Sequence, residues 1–286
     1  MNAILFALGA ATFLGGGLVL TQFGLKHIHP LSGAAISIPA FTLLFLLISP
    51  FLLAGETIVW KAVPIFAAVG LTFPALVTLL TFAGNRALGP VTTASLGNIS
   101  PLFSVMLAVM LLGEPLTPWQ LAGLLLIVAG VLVITVTRTA DMGNWRTWAL
   151  LLPLGAAALR GVIPPVIKVG LDIWPNAIAA GLTGYIFSTL TVLTVERIRN
   201  GTFIARGSWQ GRLWFAANGL CNGIGTLCIY LALRHGPVSL VAPLIATYPL
   251  VTVVMSALVF GRTPGALRLA AGAGLTVGGV VLLLVG

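Results

Sequence analysis

Arg160 falls midway along the apolar run 148–168, where hydrocarbon is expected on both sides. An arginine at the centre of a spanning helix costs about 2.5–3.5 kcal/mol on insertion scales, so it faces a cavity or a partner rather than lipid. Its planar guanidinium fork matches a carboxylate with two parallel hydrogen bonds. Arg160 is therefore either a docking point for a substrate carboxylate or a side chain that snorkels or bonds carbonyls freed near Pro164 and Pro165.

Asn218, Asn222, Thr226 and Tyr230 recur at helical spacing along a second apolar run, which sets them on one slowly drifting stripe. Thr78, Thr81 and Asn85 form a shorter counterpart. Such a stripe either lines one wall of a cavity or hydrogen-bonds neighbouring helices. Pro101, in Gly97-Asn98-Ile99-Ser100-Pro101, and Pro249, in Ala246-Thr247-Tyr248-Pro249, stand near the middle of two further runs. Each removes a backbone hydrogen bond and is expected to kink its helix, leaving the Gly97 and Ile245 carbonyls without their usual donors. Those carbonyls suit a substrate amino group, with Asn98 and Tyr248 adding side-chain contacts; a structural kink without a ligand is the other outcome.

Other chemistries lack their residues. His27, His29 and His235 all fall at helix ends, so no base stands at membrane depth for an intramembrane hydrolase. Two neighbouring histidines without a carboxylate or thiolate partner do not make a metal centre, and no cofactor motif is present. Glu56, Glu114, Asp141, Asp172 and Glu196 fall in loops or at helix boundaries, so no buried proton-carrying acid is expected and exchange or facilitated diffusion is favoured over proton antiport. Cys221 and Cys228 lie seven apart on one helix, about 10 Å along its axis, too far for a mutual disulfide.

The elements that hold these residues must cross a membrane. Apolar residues make up 59% of the 286 and charged residues 7%, too little polar surface for a soluble domain of that size. Runs long enough to span about 30 Å of hydrocarbon lie near 2–23, 31–54, 63–84, 90–112, 119–137, 148–168, 175–196, 211–233, 238–260 and 267–285. Runs of that length without alternation are helices, because lipid offers the backbone no hydrogen-bond partners. The first lacks a basic region before its apolar stretch and is retained as a helix rather than a secretion signal.

The chain also repeats itself. Leu8, Gly9, Ala10, Ala11, Gly15, Gly24 and Leu25 return in the same order as Leu154, Gly155, Ala156, Ala157, Gly161, Gly170 and Leu171, and residues 87–123 match 234–272. Five spans is an odd number, so the second copy enters from the opposite side: residues 1–140 and 141–286 are expected as inverted five-helix repeats around a central cavity. Most Lys and Arg, among them Lys26, Arg86, Arg138, Arg197, Arg199 and Arg212, fall in loops of one side, against Lys61, Lys168 and Arg234 on the other. The positive-inside bias makes the richer side cytoplasmic and places both termini outside. Dispersed in this way, the net charge of +9 sets topology and is no nucleic-acid footprint. Ala270, Gly274 and Gly278 repeat on the last helix, expected to let backbones approach within the bundle; oligomeric state stays open, a monomer included.

The ten-helix layout, the entry Tyr230, Ala232, Leu233, Gly236, Pro237 with a looser Phe82 to Pro90 version, and the step Gly113-Glu114-Pro115-Leu116-Thr117 resemble the drug/metabolite transporter superfamily, more narrowly its bacterial EamA-type members. Members often carry Glu in both copies of the step, whereas the second copy here reads Gly261-Arg262. The resemblance implies a non-enzymatic secondary carrier of the bacterial inner membrane, surrounded by lipid and exporting amino acids or similar small metabolites by alternating access. Arg160, Asn98, Thr78, Thr81, Asn218, Asn222, Tyr230 and Tyr248 are the expected substrate-binding residues. The alternatives are a sugar-phosphate or nucleotide-sugar carrier, which needs two or more converging basic residues, and an intramembrane enzyme or lipid-handling scaffold.

Overall fold

The structure is a computed structural model that describes residues 1–73, 75–88, 93, 96–135, 147–203, 207–261 and 266–285. In chain order the helices are α1 (Asn2–Gly24), α2 (Pro30–Leu52), α3 (Val63–Thr72), α4 (Ala75–Leu88), α5 (Ser100–Leu112) and α6 (Pro118–Thr135). A 3-10 turn (Thr147–Leu150) then leads into α7 (Leu151–Ile173), α8 (Ala177–Asn200), α9 (Trp209–His235), α10 (Val238–Ile245), α11 (Tyr248–Phe260) and α12 (Ala266–Val285). No strand occurs among the described residues.

Local chemistry sets the ends of these helices. Asn176 caps α8 through hydrogen bonds from the Ile178 and Ala179 N–H groups, both at 3.0 Å. Thr117 and Gln120 form a reciprocal capping box at the start of α6, each side chain accepting the other's backbone N–H at 3.1 Å. Gly113 and Gly261, equivalent in the repeat, close α5 and α11 with φ of 65° and 64°, a left-handed conformation that favours glycine.

The outer surface is largely apolar. Leu47 and Phe51 are 74% and 83% exposed, while Ala7 and Ala10 are sealed at 0% beside large buried residues such as Phe66 and Leu244. Large apolar side chains facing outward, with small residues at helix contacts, is the pattern expected where the surroundings are lipid and helices gain by close backbone packing. Among the described residues seven helices, counting Val238–Phe260 as one, are long and apolar enough to cross a membrane; Val63–Thr72, Ser100–Leu112 and Pro118–Ile134 are shorter apolar helices.

The helices pack as two units, each drawing on both sequence halves: Met1–Ala75 with Ile167–His235, and Leu76–Val166 with Gly236–Gly286. In the first, α1 packs antiparallel on α9, with Gly17 against Asn222 and Gly24 against Phe215, while α2 and α3 pack on α8. In the second, α6 and α12 form an antiparallel seam. A Cβ on Gly123 would stand 2.6 Å from the Gly279 carbonyl oxygen, and one on Gly130 would stand 2.7 Å from that of Gly272. Backbones therefore touch at two repeat-equivalent glycine pairs. Arg268 adds a hydrogen bond from its Nε to the Val133 carbonyl, a cation placed at the negative end of α6.

Three expectations change. Pro101 and Pro249 do not kink continuous helices: each sits in the first turn of a new one, after turns at Asn98–Ile99 and Ala246–Thr247. A proline fits that position because its missing N–H would be unpaired there. The Ala270, Gly274, Gly278 stripe is not the internal seam, for nothing lies within 4 Å of a Cβ placed on Gly274 or Gly278. The seam instead uses Gly272, Thr276 and Gly279 on another face of α12. Finally, Glu196 is no boundary residue open to water; it lies inside α8 and is 1% exposed.

Candidate substrate site

Arg160 is brought to its place by its neighbour. A Cβ on Gly161 would stand 2.5 Å from Phe103 Cβ and 2.8 Å from the Ser100 carbonyl oxygen, so α7 and the first turn of α5 meet backbone to backbone. That contact directs the adjacent Arg160 towards the turn preceding α5, where its Nη1 lies 3.5 Å from the point a Cβ on Gly97 would occupy. A Cβ at 97 would therefore stand in ordinary van der Waals contact with the guanidinium.

The electrostatics of this corner favour an anion. α5 begins at Ser100 with no side-chain cap, leaving its positive end beside a permanent cation. Pro101 and Pro249 cannot donate to the Gly97 and Ile245 carbonyls four residues before them. Among the described residues, no hydrogen bond or ion pair engages the Arg160 guanidinium, including none to the carbonyls before Pro164 and Pro165. Asn98 is half-buried in the turn itself. Tyr248 opens α11 after the equivalent break, half-buried, with its carbonyl accepting from Thr252 Oγ1 at 3.0 Å. Thr81 lies in the same unit and bonds back to the Val77 carbonyl at 2.7 Å. The side chains of Thr78 and Asn85 lie outside the described residues.

The second unit is held in register by an acid that the spacing of residues did not mark as functional. Glu114 follows the α5 terminus and accepts the N–H groups of Val238 and Ser239, both at 2.7 Å, the first two of α10. Packing of α10 on α5 thus carries a carboxylate cap on a helix dipole. Replacing Glu114 by Ala should lower stability by about 1–3 kcal/mol, read as earlier thermal unfolding in detergent. A wild-type melting curve would show that water substitutes for the carboxylate.

The polar stripe of α9 is placed in the first unit. Asn218 is buried and donates to Ser37 Oγ at 3.2 Å; Ser37 in turn donates to the Phe215 carbonyl at 2.7 Å. Asn222 donates to Asn218 Oδ1, and Thr226 accepts from the Tyr185 hydroxyl at 3.2 Å. Tyr230 is 2% exposed and meets the Phe66 ring edge-on, with centroids 6.2 Å apart. These side chains tie α2, α8 and α9 to one another, and Ser37 and Tyr185 are partners that the α9 pattern alone does not reveal. Lys168 donates to the Leu233 carbonyl at 2.9 Å near the end of α9. Among the described residues no three His, Cys, Asp or Glu gather as a metal site.

A family model described as the EamA-like transporter family matches residues 1–136 and 147–285. Among curated proteins, the triose phosphate/phosphate translocator, non-green plastid, chloroplastic, of Brassica oleracea var. botrytis is 26% identical over 221 residues, or 72% of this chain and 53% of the relative. The chain thus spans about half the length of the curated relative it matches. A solved crystal structure superimposes with a TM-score of 0.85 at 17% identity, over 100% of this chain and 96% of the other, which speaks for the fold alone.

Proposed function

Because the chain belongs to the EamA-like transporter family of the drug/metabolite transporter superfamily, we propose that it carries small amino acids or similar metabolites bearing one carboxylate across a bacterial inner membrane. One observation carries this: an Arg160 guanidinium with no hydrogen-bond or ion-pair partner among the described residues, held against Gly97 beside the uncapped start of α5. A carboxylate completes that corner with two charge-assisted hydrogen bonds. Asn98 and Tyr248, at or beside the two helix breaks, contact the rest of the substrate, and the Gly97 and Ile245 carbonyls suit its amino group. The assignment also includes Thr78 and Thr81 and, in the polar stripe of α9, Asn218, Asn222 and Tyr230.

The carrier works by alternating access between two inverted five-helix repeats, residues 1–140 and 141–286, about a central cavity. Support comes from the reciprocal glycine contacts of α6 and α12, since antiparallel pairing of equivalent helices is what inversion requires. The two segments matched by the family model follow the same division. Both termini face the periplasm in this arrangement, which a periplasmic reporter fused after Gly286 checks by being active.

Similarity to the triose phosphate/phosphate translocator favours a second reading, a carrier of sugar phosphates. Against it, the other basic residue of α7, Lys168, already donates to the Leu233 carbonyl, and a phosphate calls for more than one cation. Counterflow in proteoliposomes with labelled amino acids, sugar phosphates and nucleotide sugars separates the two. Exchange of amino acids is expected; exchange of sugar phosphates alone would transfer the assignment to the second reading.

A further inference from the structure

Arg212 is a cation in an unfavourable place. Lys26, Arg197 and Arg199 follow or close α1 and α8, where the last carbonyls of a helix favour positive charge. Arg212 stands instead in the first turn of α9, at that helix's positive end. Its Nε is buried and bonds nothing among the described residues, which costs free energy that an acceptor would restore. Arg212 lies seven residues before Gly219, and so on the same face of α9. That face packs on α2 in a parallel register that steps by four, with Gly223 against Phe41, Gly219 against Ser37 and Phe215 against Gly33. One turn further, Arg212 comes level with His29 and Pro30.

A second guanidinium is already there. Nitrogens of Arg199 lie 3.4 and 3.5 Å from Nδ1 and Nε2 of His29. Burial first, then Arg199, lower the His29 pKa against an opposing effect of Glu196, and Nδ1 accepts the Leu31 N–H at 3.4 Å, so the ring is neutral. Glu196, one turn before Arg199, is 1% exposed and already accepts from Ser32 Oγ at 3.0 Å and Asn200 Nδ2 at 2.8 Å. Among the described residues no Asp or Glu forms an ion pair with Arg199 or Arg212. Two arginines thus come level with one neutral histidine, at the end where α2 and α9 both begin and both place their positive ends. Like charges so placed repel. An anion between them removes the repulsion and supplies the acceptor that Arg212 Nε lacks.

We propose that this end of the first unit binds the phosphate of an anionic phospholipid, held between Arg212 and Arg199. A guanidinium fork takes two phosphate oxygens at once. The surroundings set the depth: Phe203 and Trp209 are exposed, Arg197 stands 5.6 Å over the Phe203 ring, and Phe23 stacks on Trp214 at 4.6 Å with Lys26 Nζ 5.4 Å from the Phe23 centroid. Aromatic rings and cations together mark the level of lipid headgroups. Ile198 and Leu213, exposed beside the two helix ends, offer acyl chains an apolar flank. In the orientation proposed above this end meets the cytoplasmic leaflet, whose surface is negative. The lipid site needs only that the chain lie in a membrane and holds whichever substrate is carried.

The test incubates the full protein, freed of lipid in detergent, with phosphatidylglycerol or phosphatidylcholine carrying the same fluorophore on an acyl chain, and reads the fluorescence that travels with the protein on gel filtration. Wild type should retain phosphatidylglycerol about tenfold better than phosphatidylcholine; equal retention would overturn the proposal. Arg212→Gln and Arg199→Gln should each remove most of that preference, and Arg212→Lys, which keeps the charge and loses the fork, should fall between. Should a glutamine variant fail to fold, Arg212→Lys decides, and a preference at the wild-type level there would count against the fork. Arg234→Gln takes the same charge from the other end of α9 and should leave the preference unchanged; an equal loss would reduce the effect to net charge and sink the site. Excess inorganic phosphate should not displace the lipid, and full displacement would assign the two arginines to a soluble phosphate compound instead.

Discussion

Replacing Arg160 by Ala should cut amino-acid counterflow by about 100-fold or more while leaving the yield of folded protein close to wild type. Two charge-assisted hydrogen bonds to a carboxylate are worth about 1.5–3 kcal/mol each, and about 1.4 kcal/mol is tenfold in binding. Stability should hold because the guanidinium bonds nothing in the protein among the described residues, and removing a charge from membrane depth relieves an insertion cost. Arg160→Lys should fall between the two, keeping the charge but losing the fork. Initial rates at several substrate concentrations, with a melting curve in detergent, provide the measurement. Unchanged rates would remove Arg160 from the site, and collapse of the fold would make it a structural residue.

Gly161→Val should be nearly as damaging to flux and more damaging to stability. Its Cβ would collide with Phe103 Cβ and the Ser100 carbonyl oxygen, at 2.5 and 2.8 Å. Neither atom is the free end of a flexible side chain, so α7 and α5 must part. Overpacking of this kind costs about 1–3 kcal/mol, and a displacement of about 1 Å at the neighbouring Arg160 is enough for a loss of about 100-fold. Phe103→Ala should not rescue the variant, because the Ser100 contact is backbone. Wild-type flux and melting in Gly161→Val would show that α5 and α7 are not held as described.

The repeat itself identified Gly161. It is one of the few positions kept between the two copies, paired with Gly15, although Arg160 beside it is paired with Leu14. The shared glycine stands where α7 meets α5, and the unshared arginine shows that the repeat does not require a cation at that place. The α9 stripe was equally legible as a pattern and not as a role. Four-residue spacing puts Asn218, Asn222 and Thr226 on one face, but which residues that face meets depends on α2 and α8, which supply Ser37 and Tyr185.

Sequence alone determined that this chain is helical and lies in a membrane, because hydropathy and segment length are local properties that lipid enforces without reference to neighbours; it also showed the internal matches that set Leu8–Leu25 against Leu154–Leu171. It also marked where two helices are interrupted, since proline carries its own backbone constraint at Pro101 and Pro249. Tertiary structure decided which polar groups are paired. Glu196 near the end of one helix becomes fully buried only because the first turn of α2 closes over it, Glu114 becomes a cap only because α10 begins beside it, and Arg160 keeps an open guanidinium only because no acceptor among the described residues packs against it. Whether a polar side chain is glue, cap or site depends on atoms far away in the chain, and residue spacing along one helix carries no record of them.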